Sequence, residues 1–171
     1  FPKYIEISVK MKNKNHMSYF GVGPVYVSII LTLTLISIYL GKTSCLSAGI
    51  INAIDLPMKI LGLVIIILGI ILWVQAVLIS RIDKNITKNK LVTTGAYAWV
   101  RNPIYSSISL MLTGTLILQN NLFLLIIPFI FWPILTLLVK KEEVVLEKVF
   151  GEEYLSYKSK VNRCIPWFPK K

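Results

Sequence analysis

Long stretches without a charged residue alternate with short basic segments along this chain. The first uncharged stretch runs from Val22 to Leu40, and the second runs from Ile60 to Ser80. A helix needs about 20 consecutive apolar residues to cross the roughly 30 Å of a bilayer's hydrocarbon core. Each of these two stretches therefore predicts one membrane-spanning helix, separated by a short polar connection over residues 42–59.

The third uncharged stretch, from Asn102 to Val139, is too long for one span. As a single helix it would measure about 57 Å at 1.5 Å per residue. The polar triplet Gln119-Asn120-Asn121 lies near its middle and predicts a turn. We therefore expect a helical hairpin with arms at 103–118 and 122–139, each rather short for a bilayer of ordinary thickness. The chain is predicted to be an all-α integral membrane protein with about four transmembrane helices.

Two glycines in the second span and the residues after the fourth span show further patterns. Gly62 and Gly69 are seven residues apart, which places them on one face of the second span, where small residues let helices approach closely. The tail over residues 140–161 alternates apolar and charged positions at helical spacing, so we expect an amphipathic interfacial helix that continues the fourth span. Prolines and aromatic residues then close the tail as interfacial anchors, namely Pro166, Trp167, Phe168 and Pro169.

Lysines and arginines are concentrated in the N-terminal segment, in the 81–101 loop and in the tail from Lys140. The positive-inside rule therefore places both termini and the 81–101 loop in the cytoplasm. We expect a multi-pass protein in the plasma membrane of a prokaryote. An alternative for the first apolar stretch is a cleaved signal peptide with Lys12 and Lys14 as its basic region, although the apolar core of a signal peptide usually has about 7–15 residues.

Composition supports a bilayer as the partner and argues against nucleic acid. Apolar residues make up 55% of the chain and charged residues 16%, whereas soluble domains carry roughly 25% charged residues. The net charge of +11 flanks the apolar stretches, as expected for contact with anionic lipid head groups. The two cysteines, Cys45 and Cys164, have no spacing typical of a metal or redox site, and we expect no metal.

The segment Arg101-Asn102-Pro103 has the features of a helix start at the cytoplasmic interface. Proline is favoured in the first helical turn and asparagine at the N-cap, so the third span is expected to begin here with its free N–H groups facing the polar side. Arg101 adds a fork of donors that suits a carboxylate. Together they predict a site for an anionic group, although such a segment can also be a simple topology anchor.

Glu142-Glu143 lies at the far end of the hairpin's second arm. Because the arms are antiparallel, this acidic pair is expected to return beside Arg101. An acidic pair next to an anion site suits a ligand that carries both signs, such as S-adenosylmethionine with its α-carboxylate, α-ammonium and sulfonium. The alternative is that the acidic pair belongs only to a solvated helix end.

Two motifs carry a resemblance to a known superfamily. The first, Leu-Val-x-x-Gly-x-Tyr-x-x-x-Arg-Asn-Pro-x-Tyr, begins at Leu91, and the second, Glu-Glu-x-x-Leu-x-x-x-Phe-Gly-x-x-Tyr-x-x-Tyr, begins at Glu142. With the hydrophobic hairpin between them, they resemble the isoprenylcysteine carboxyl methyltransferases and phospholipid N-methyltransferases over about residues 57–168. The resemblance implies two regions: an N-terminal segment with the first transmembrane helix (1–56) and a methyltransferase core (57–171).

The resemblance also implies S-adenosyl-L-methionine as the cofactor and a lipid-like or prenylated methyl acceptor, such as an isoprenylcysteine-type carboxylate, which enters from the bilayer. The active site would face the cytoplasm. A carboxylate acceptor would need no base and could be held by Arg101, whereas an amine would need a base such as Glu142 or Glu143. Of these we expect Arg101 and Glu142 to be the catalytic residues, with the individual roles of Glu142 and Glu143 left open. The cofactor-binding residues would be Leu91, Val92, Gly95, Tyr97, Arg101, Asn102, Pro103, Tyr105, Glu142 and Glu143.

Two other functions compete with methyl transfer. A membrane reductase of the sterol-reductase type, which uses NADPH, has a similar arginine-rich motif and hairpin. The Glu-Glu and Phe-Gly-x-x-Tyr patterns favour the methyltransferase. A non-enzymatic small membrane protein, such as a transporter subunit, is disfavoured because no predicted span contains a charged residue of the kind that marks an ion or substrate path.

Overall fold

The computed structural model describes residues 21–44, 46–80 and 90–168. The expectations for the N-terminal segment with Lys12 and Lys14, for Cys45 and for Pro169 concern residues outside these ranges, as does most of the charged part of the 81–101 loop. The described residues form five α-helices and no β-strand. The helices are α1 (Gly23–Gly41), α2 (Asp55–Val74), α3 (Pro103–Ile117), α4 (Ile127–Phe150) and α5 (Glu152–Lys160).

The predicted polar connection over residues 42–59 is too long, because α2 begins at Asp55 rather than at Ile60. Asp55 lies in the first turn, where a negative charge is stabilised by the free N–H groups of the helix. It also pairs with Lys59, whose Nζ lies 2.7 Å from Oδ2, at the i,i+4 spacing that stabilises helices. At its other end α2 passes into a π-helical turn, Gln75–Ile79.

The all-α membrane architecture is confirmed. Within residues 21–44, 46–80 and 90–168, three helical stretches have the length and apolar composition to cross a bilayer, namely Gly23–Gly41, Asn52–Ile79 and Leu122–Phe150. The fourth apolar helix, α3, has only 15 residues and is therefore about 22 Å long. The predicted turn after α3 is also present: Asn120 adopts a positive φ of 48° and Asn121 accepts a hydrogen bond from the Phe123 amide at 3.1 Å.

Helix α3 is the centre of the bundle and contacts α1, α2 and α4, with its largest interface against α2. The predicted role of Gly62 and Gly69 is confirmed at this interface. A Cβ at Gly62 would lie 2.8 Å from the Gly114 carbonyl oxygen, and a Cβ at Gly69 would lie 2.9 Å from that of Ser107. The two helices therefore meet backbone to backbone, as small residues allow in membranes.

The end of the chain folds back onto the start of α3. Helix α4 ends at Phe150, and α5 begins after a single residue, Gly151, whose φ is +54°. Beyond α5 the chain pairs with the loop before α3, through an isolated bridge between Val100 and Asn162. We call residues 158–164, which comprise the last residues of α5 and the segment that follows it, the C-terminal strap. Its position fixes the surroundings of Arg101.

Candidate functional site

The hairpin brings Arg101 and Glu143 together, as the sequence predicted. Arg101 Nη2 lies 2.7 Å from Glu143 Oε1, and Arg101 Nε donates to the same oxygen at 3.1 Å. Both side chains are buried, with 6% and 3% of their surfaces exposed. A buried pair of this kind is strongly destabilised when one partner is removed, because the other charge is left uncompensated.

The C-terminal strap accepts the remaining recorded hydrogen bonds of the Arg101 side chain. Arg101 Nη1 donates to the carbonyl oxygens of Lys158 at 2.6 Å and Val161 at 3.0 Å. The Arg101 backbone amide donates to the Asn162 carbonyl at 2.8 Å. Arg101 thus makes four side-chain hydrogen bonds to protein acceptors. Its binding of an anionic ligand stays a prediction.

Arg163 also belongs to this cluster, and the sequence patterns did not indicate it. Its Nε and Nη2 lie 3.0 and 2.9 Å from Glu143 Oε2, the oxygen that Arg101 leaves free. The hydrogen bond to Glu143 raises the pKa of the Arg163 guanidinium, which therefore stays charged. Arg163 is 20 residues from Glu143 and belongs to neither motif, so no local spacing could have identified it.

Asn102 occupies the predicted N-cap position of α3, and Pro103 is the first helical residue. The side chain of Asn102 makes no capping hydrogen bond to the first turn of this helix. Asn102 Nδ2 instead donates to the Arg163 carbonyl at 2.8 Å, and Ser106 Oγ donates to the Cys164 carbonyl. The prediction of Asn102 as the N-cap residue is therefore confirmed, but the predicted capping hydrogen bond is absent. The side chains of Asn102 and Ser106 donate to backbone carbonyls of the strap instead.

Glu142 has different partners from its neighbour. Its Oε1 accepts hydrogen bonds from the Val22 amide at 2.5 Å and from the Tyr105 hydroxyl at 3.0 Å. The start of α1 is packed tightly here, since a Cβ at Gly23 would lie 3.0 Å from Tyr105 Cε1. The contribution of α1 was not predicted, because the sequence does not indicate which helix end meets Glu142.

The other candidate residues lie in the loop before α3. Leu91 packs against the buried Tyr154, Tyr157 and Val161, whereas Val92 packs against a second cluster that consists of Ala76, Ala96 and Tyr97. The Tyr97 carbonyl accepts a hydrogen bond from the Tyr157 hydroxyl at 2.6 Å. Burial raises the pKa of Tyr157, which keeps this hydroxyl protonated as a donor.

Gly95 is exposed and has a φ of +63°, a conformation that favours glycine. On the side of this loop that faces α5 lies an open groove of about 440 Å³. Thr93 and Ala98 line it from the loop, and Glu153, Ser156, Tyr157, Lys160 and Val161 line it from α5 and the strap. None of the ten candidate residues lines this groove. The structure joins Arg101 to Glu143 and Tyr105 to Glu142, whereas Leu91 and Val92 pack into separate clusters.

Comparisons with known proteins identify the family of the chain. A family model described as phospholipid methyltransferase matches residues 58–153, which is more than half of the 171 residues. The chain belongs to the phospholipid methyltransferase family. The match includes both motifs up to Glu153 and ends before the strap.

Curated relatives with similar sequences are named protein-S-isoprenylcysteine O-methyltransferase. The protein from Saccharomyces cerevisiae is 38% identical over 85 residues, covering 49% of this chain and 36% of the relative. The Xenopus laevis protein is 32% identical over 118 residues, covering 64% and 41%. A rice protein from Oryza sativa subsp. indica, named as a probable member, is 30% identical over 115 residues, covering 62% and 60%. The matched part thus spans between about a third and three fifths of these relatives.

Proposed function

We propose that this protein is an integral membrane methyltransferase that transfers a methyl group from S-adenosylmethionine to a lipid-like acceptor. The observation that carries the proposal is the junction of the Arg101-Asn102-Pro103 segment with Glu142-Glu143 at one end of a membrane hairpin. Membership of the phospholipid methyltransferase family supports the reaction class. The names of the relatives favour a prenylated cysteine carboxylate as the acceptor.

The residues at the junction fit a ligand with a positive charge. Both recorded donors to Glu142 use Oε1, and within the described part of the chain no donor is recorded on Oε2. This oxygen can accept a hydrogen bond from the ammonium group of the cofactor. Leu91, Val92 and Gly95 would line the adenosine side, while Tyr97 and the start of α3 would enclose the cofactor.

Bound S-adenosylmethionine supplies an already electrophilic methyl group on its sulfonium. The protein then has to align the acceptor oxygen with that methyl group and exclude water, which can lower the barrier by roughly 7–11 kcal/mol. A carboxylate acceptor is already a nucleophile at neutral pH and needs no general base. An acceptor with an apolar tail would reach this end of the hairpin from the bilayer, and we propose that the site faces the cytoplasm of a prokaryotic plasma membrane.

The experiment uses the full chain purified and placed in lipid nanodiscs. Calorimetric titration with S-adenosylmethionine, S-adenosylhomocysteine and NADPH tests the cofactor. Incubation with radiolabelled S-adenosylmethionine and S-farnesylcysteine tests the acceptor, and a base-labile methyl ester is the expected product. Phosphatidylethanolamine serves as the amine acceptor for comparison. Binding of NADPH without either adenosyl ligand would overturn the proposed function.

Site variants extend this test. We expect Arg101→Ala and Glu142→Ala each to lower cofactor affinity or turnover. Glu147→Gln is the matched control, because Glu147 is on the same helix but forms a partly exposed ion pair with Lys158. Unchanged activity in both site variants would exclude the proposed site.

A further inference from the structure

Glu143 is enclosed by two guanidinium groups that approach it from different parts of the chain. Arg101 donates twice to Oε1, and Arg163 approaches Oε2 through both Nε and Nη2 at 3.0 and 2.9 Å. Only 3% of the Glu143 side chain is exposed. Each guanidinium group places two nitrogens against one carboxylate oxygen, and together they occupy the directions from which a ligand would approach. Glu143 therefore binds groups of the protein and not a ligand.

Glu142, the adjacent residue, is contacted by neutral donors instead of guanidinium groups. It contacts a neutral backbone amide and a neutral hydroxyl, both on Oε1, and no arginine is recorded on it in residues 21–44, 46–80 and 90–168. Its side chain is partly exposed. The two carboxylates thus differ in the charge that surrounds them, although they are consecutive in the sequence.

We propose that Arg163 is a positioning residue that, together with Arg101, fixes Glu143 as a structural carboxylate, so that Glu142 alone of the acidic pair contacts the ligand. This inference rests on the proposed function for the role of Glu142. The role of Arg163 rests only on the cluster itself. Arg163 lies ten residues beyond the end of the family match at residue 153, so the family match does not assign it any part in the site.

The physical reason for such a division is electrostatic. Arg101 and Glu143 are almost completely buried, and a buried pair is costly unless further hydrogen bonds satisfy both groups. Arg163 satisfies the second oxygen of Glu143, and its carbonyl accepts from Asn102 Nδ2 at 2.8 Å. The Arg163 side chain therefore holds Glu143, whereas its backbone carbonyl, which any residue at this position supplies, holds the start of α3. Loss of the side chain would leave Glu143 Oε2 without this partner, so that Glu143 and the adjacent Glu142 would shift.

The test compares the full chain in nanodiscs with Glu142→Gln, Glu143→Gln, Arg163→Gln, Arg163→Lys and the double variant Glu143→Gln/Arg163→Gln. Glu147→Gln is the control for loss of a partly exposed carboxylate on α4. Two quantities are measured: the SDS concentration at the midpoint of unfolding, and the Kd for S-adenosylhomocysteine at a temperature where every variant is folded.

We expect Glu142→Gln to raise the Kd at least about tenfold with little change in the unfolding midpoint, because a hydrogen bond to a charged group is lost. Glu143→Gln and Arg163→Gln should each lower the midpoint. The double variant should be no less stable than Glu143→Gln, because both substitutions remove the same interaction. Arg163→Gln should also raise the Kd, and Arg163→Lys should restore part of the affinity, which a role in stability alone would not produce.

Three results would overturn the inference. Additive losses in the double variant would show that Arg163 does not act through Glu143. An unchanged Kd in Arg163→Gln would remove its positioning role, and a raised Kd in Glu143→Gln with an unchanged midpoint would make Glu143 a ligand contact. If the wild type binds no S-adenosylhomocysteine, the proposed function and the role of Glu142 both fail, whereas the stability measurements still decide the coupling of Arg163 to Glu143.

Discussion

Replacement of Gly114 by alanine tests the close contact between α2 and α3. A Cβ at this position would lie 2.6 Å from the Gly62 carbonyl oxygen and 2.7 Å from Ile66 Cγ1. The Gly62 carbonyl belongs to the backbone of α2 and cannot rotate away, so the added methyl group must push the two helices apart. Both helices are apolar, and in a lipid bilayer no hydrophobic effect favours their association, so the lost packing contacts are not compensated.

Two opposing contributions set the expected magnitude. Insertion of a methyl group into a tightly packed interface costs about 1–3 kcal/mol. Alanine in place of a helical glycine stabilises the folded protein by about 1 kcal/mol, because alanine has the higher helix propensity. Because two clashes lie below 3.0 Å and one involves backbone, we expect a cost in the upper part of the range and a net loss of about 1–2 kcal/mol in the free energy of unfolding.

The free energy is measured by SDS titration of the variant in mixed micelles, with the loss of helical circular dichroism as the signal. Gly41→Ala is the matched control, since its added methyl group would first meet the side-chain methyl groups of Leu124 at 3.1 Å, which can shift. A Gly114→Ala protein that is as stable as Gly41→Ala would refute the argument from backbone contact.

Two further predictions concern the site and the strap. Gly21→Ala should lower affinity for S-adenosylhomocysteine, because the added Cβ would collide with Glu142 Oε1. Gly151→Ala, which has a similar positive φ and open space around it, should lose stability but keep that affinity, and equal affinity losses in both variants would contradict the prediction. Burial raises the pKa of Cys164 to about 11, so its thiol should stay protonated and resist iodoacetamide in the folded protein at about pH 8, with reactivity rising only as the pH approaches that pKa. Peptide mass spectrometry after timed alkylation measures this, and a rate equal to that of the SDS-unfolded chain would contradict it.

The membrane architecture could be predicted because it depends on local properties of the sequence. Uncharged stretches indicated the positions of four apolar helices, and the polar triplet before residue 122 indicated the turn between α3 and α4. The errors were at helix ends. Asp55 and Lys59 were assigned to a connection because they are charged, although their spacing forms an ion pair within the first turns of α2.

The candidate site could be predicted only in part. The antiparallel hairpin brings Arg101 to Glu143 because both residues lie at the same end of two adjacent helices. The contacts of Val22 and Arg163 depend instead on how α1 and the strap pack against that end, over separations of 120 residues for Val22 and 20 residues for Arg163. No periodicity or local motif encodes such contacts, and one sequence cannot reveal them.

The C-terminal strap also sets an order of assembly. Domains and helices form from the N-terminal side during synthesis, so Arg101 reaches the membrane surface long before residues 158–161 are made. Until then the acceptors that bury its guanidinium, the Lys158 and Val161 carbonyls, do not exist. Before those residues are made, Arg101 has Glu143 as a partner but lacks the two carbonyl acceptors of its Nη1. The complete burial of this charge therefore follows the synthesis of all four apolar helices, because two of its acceptors belong to residues 158 and 161.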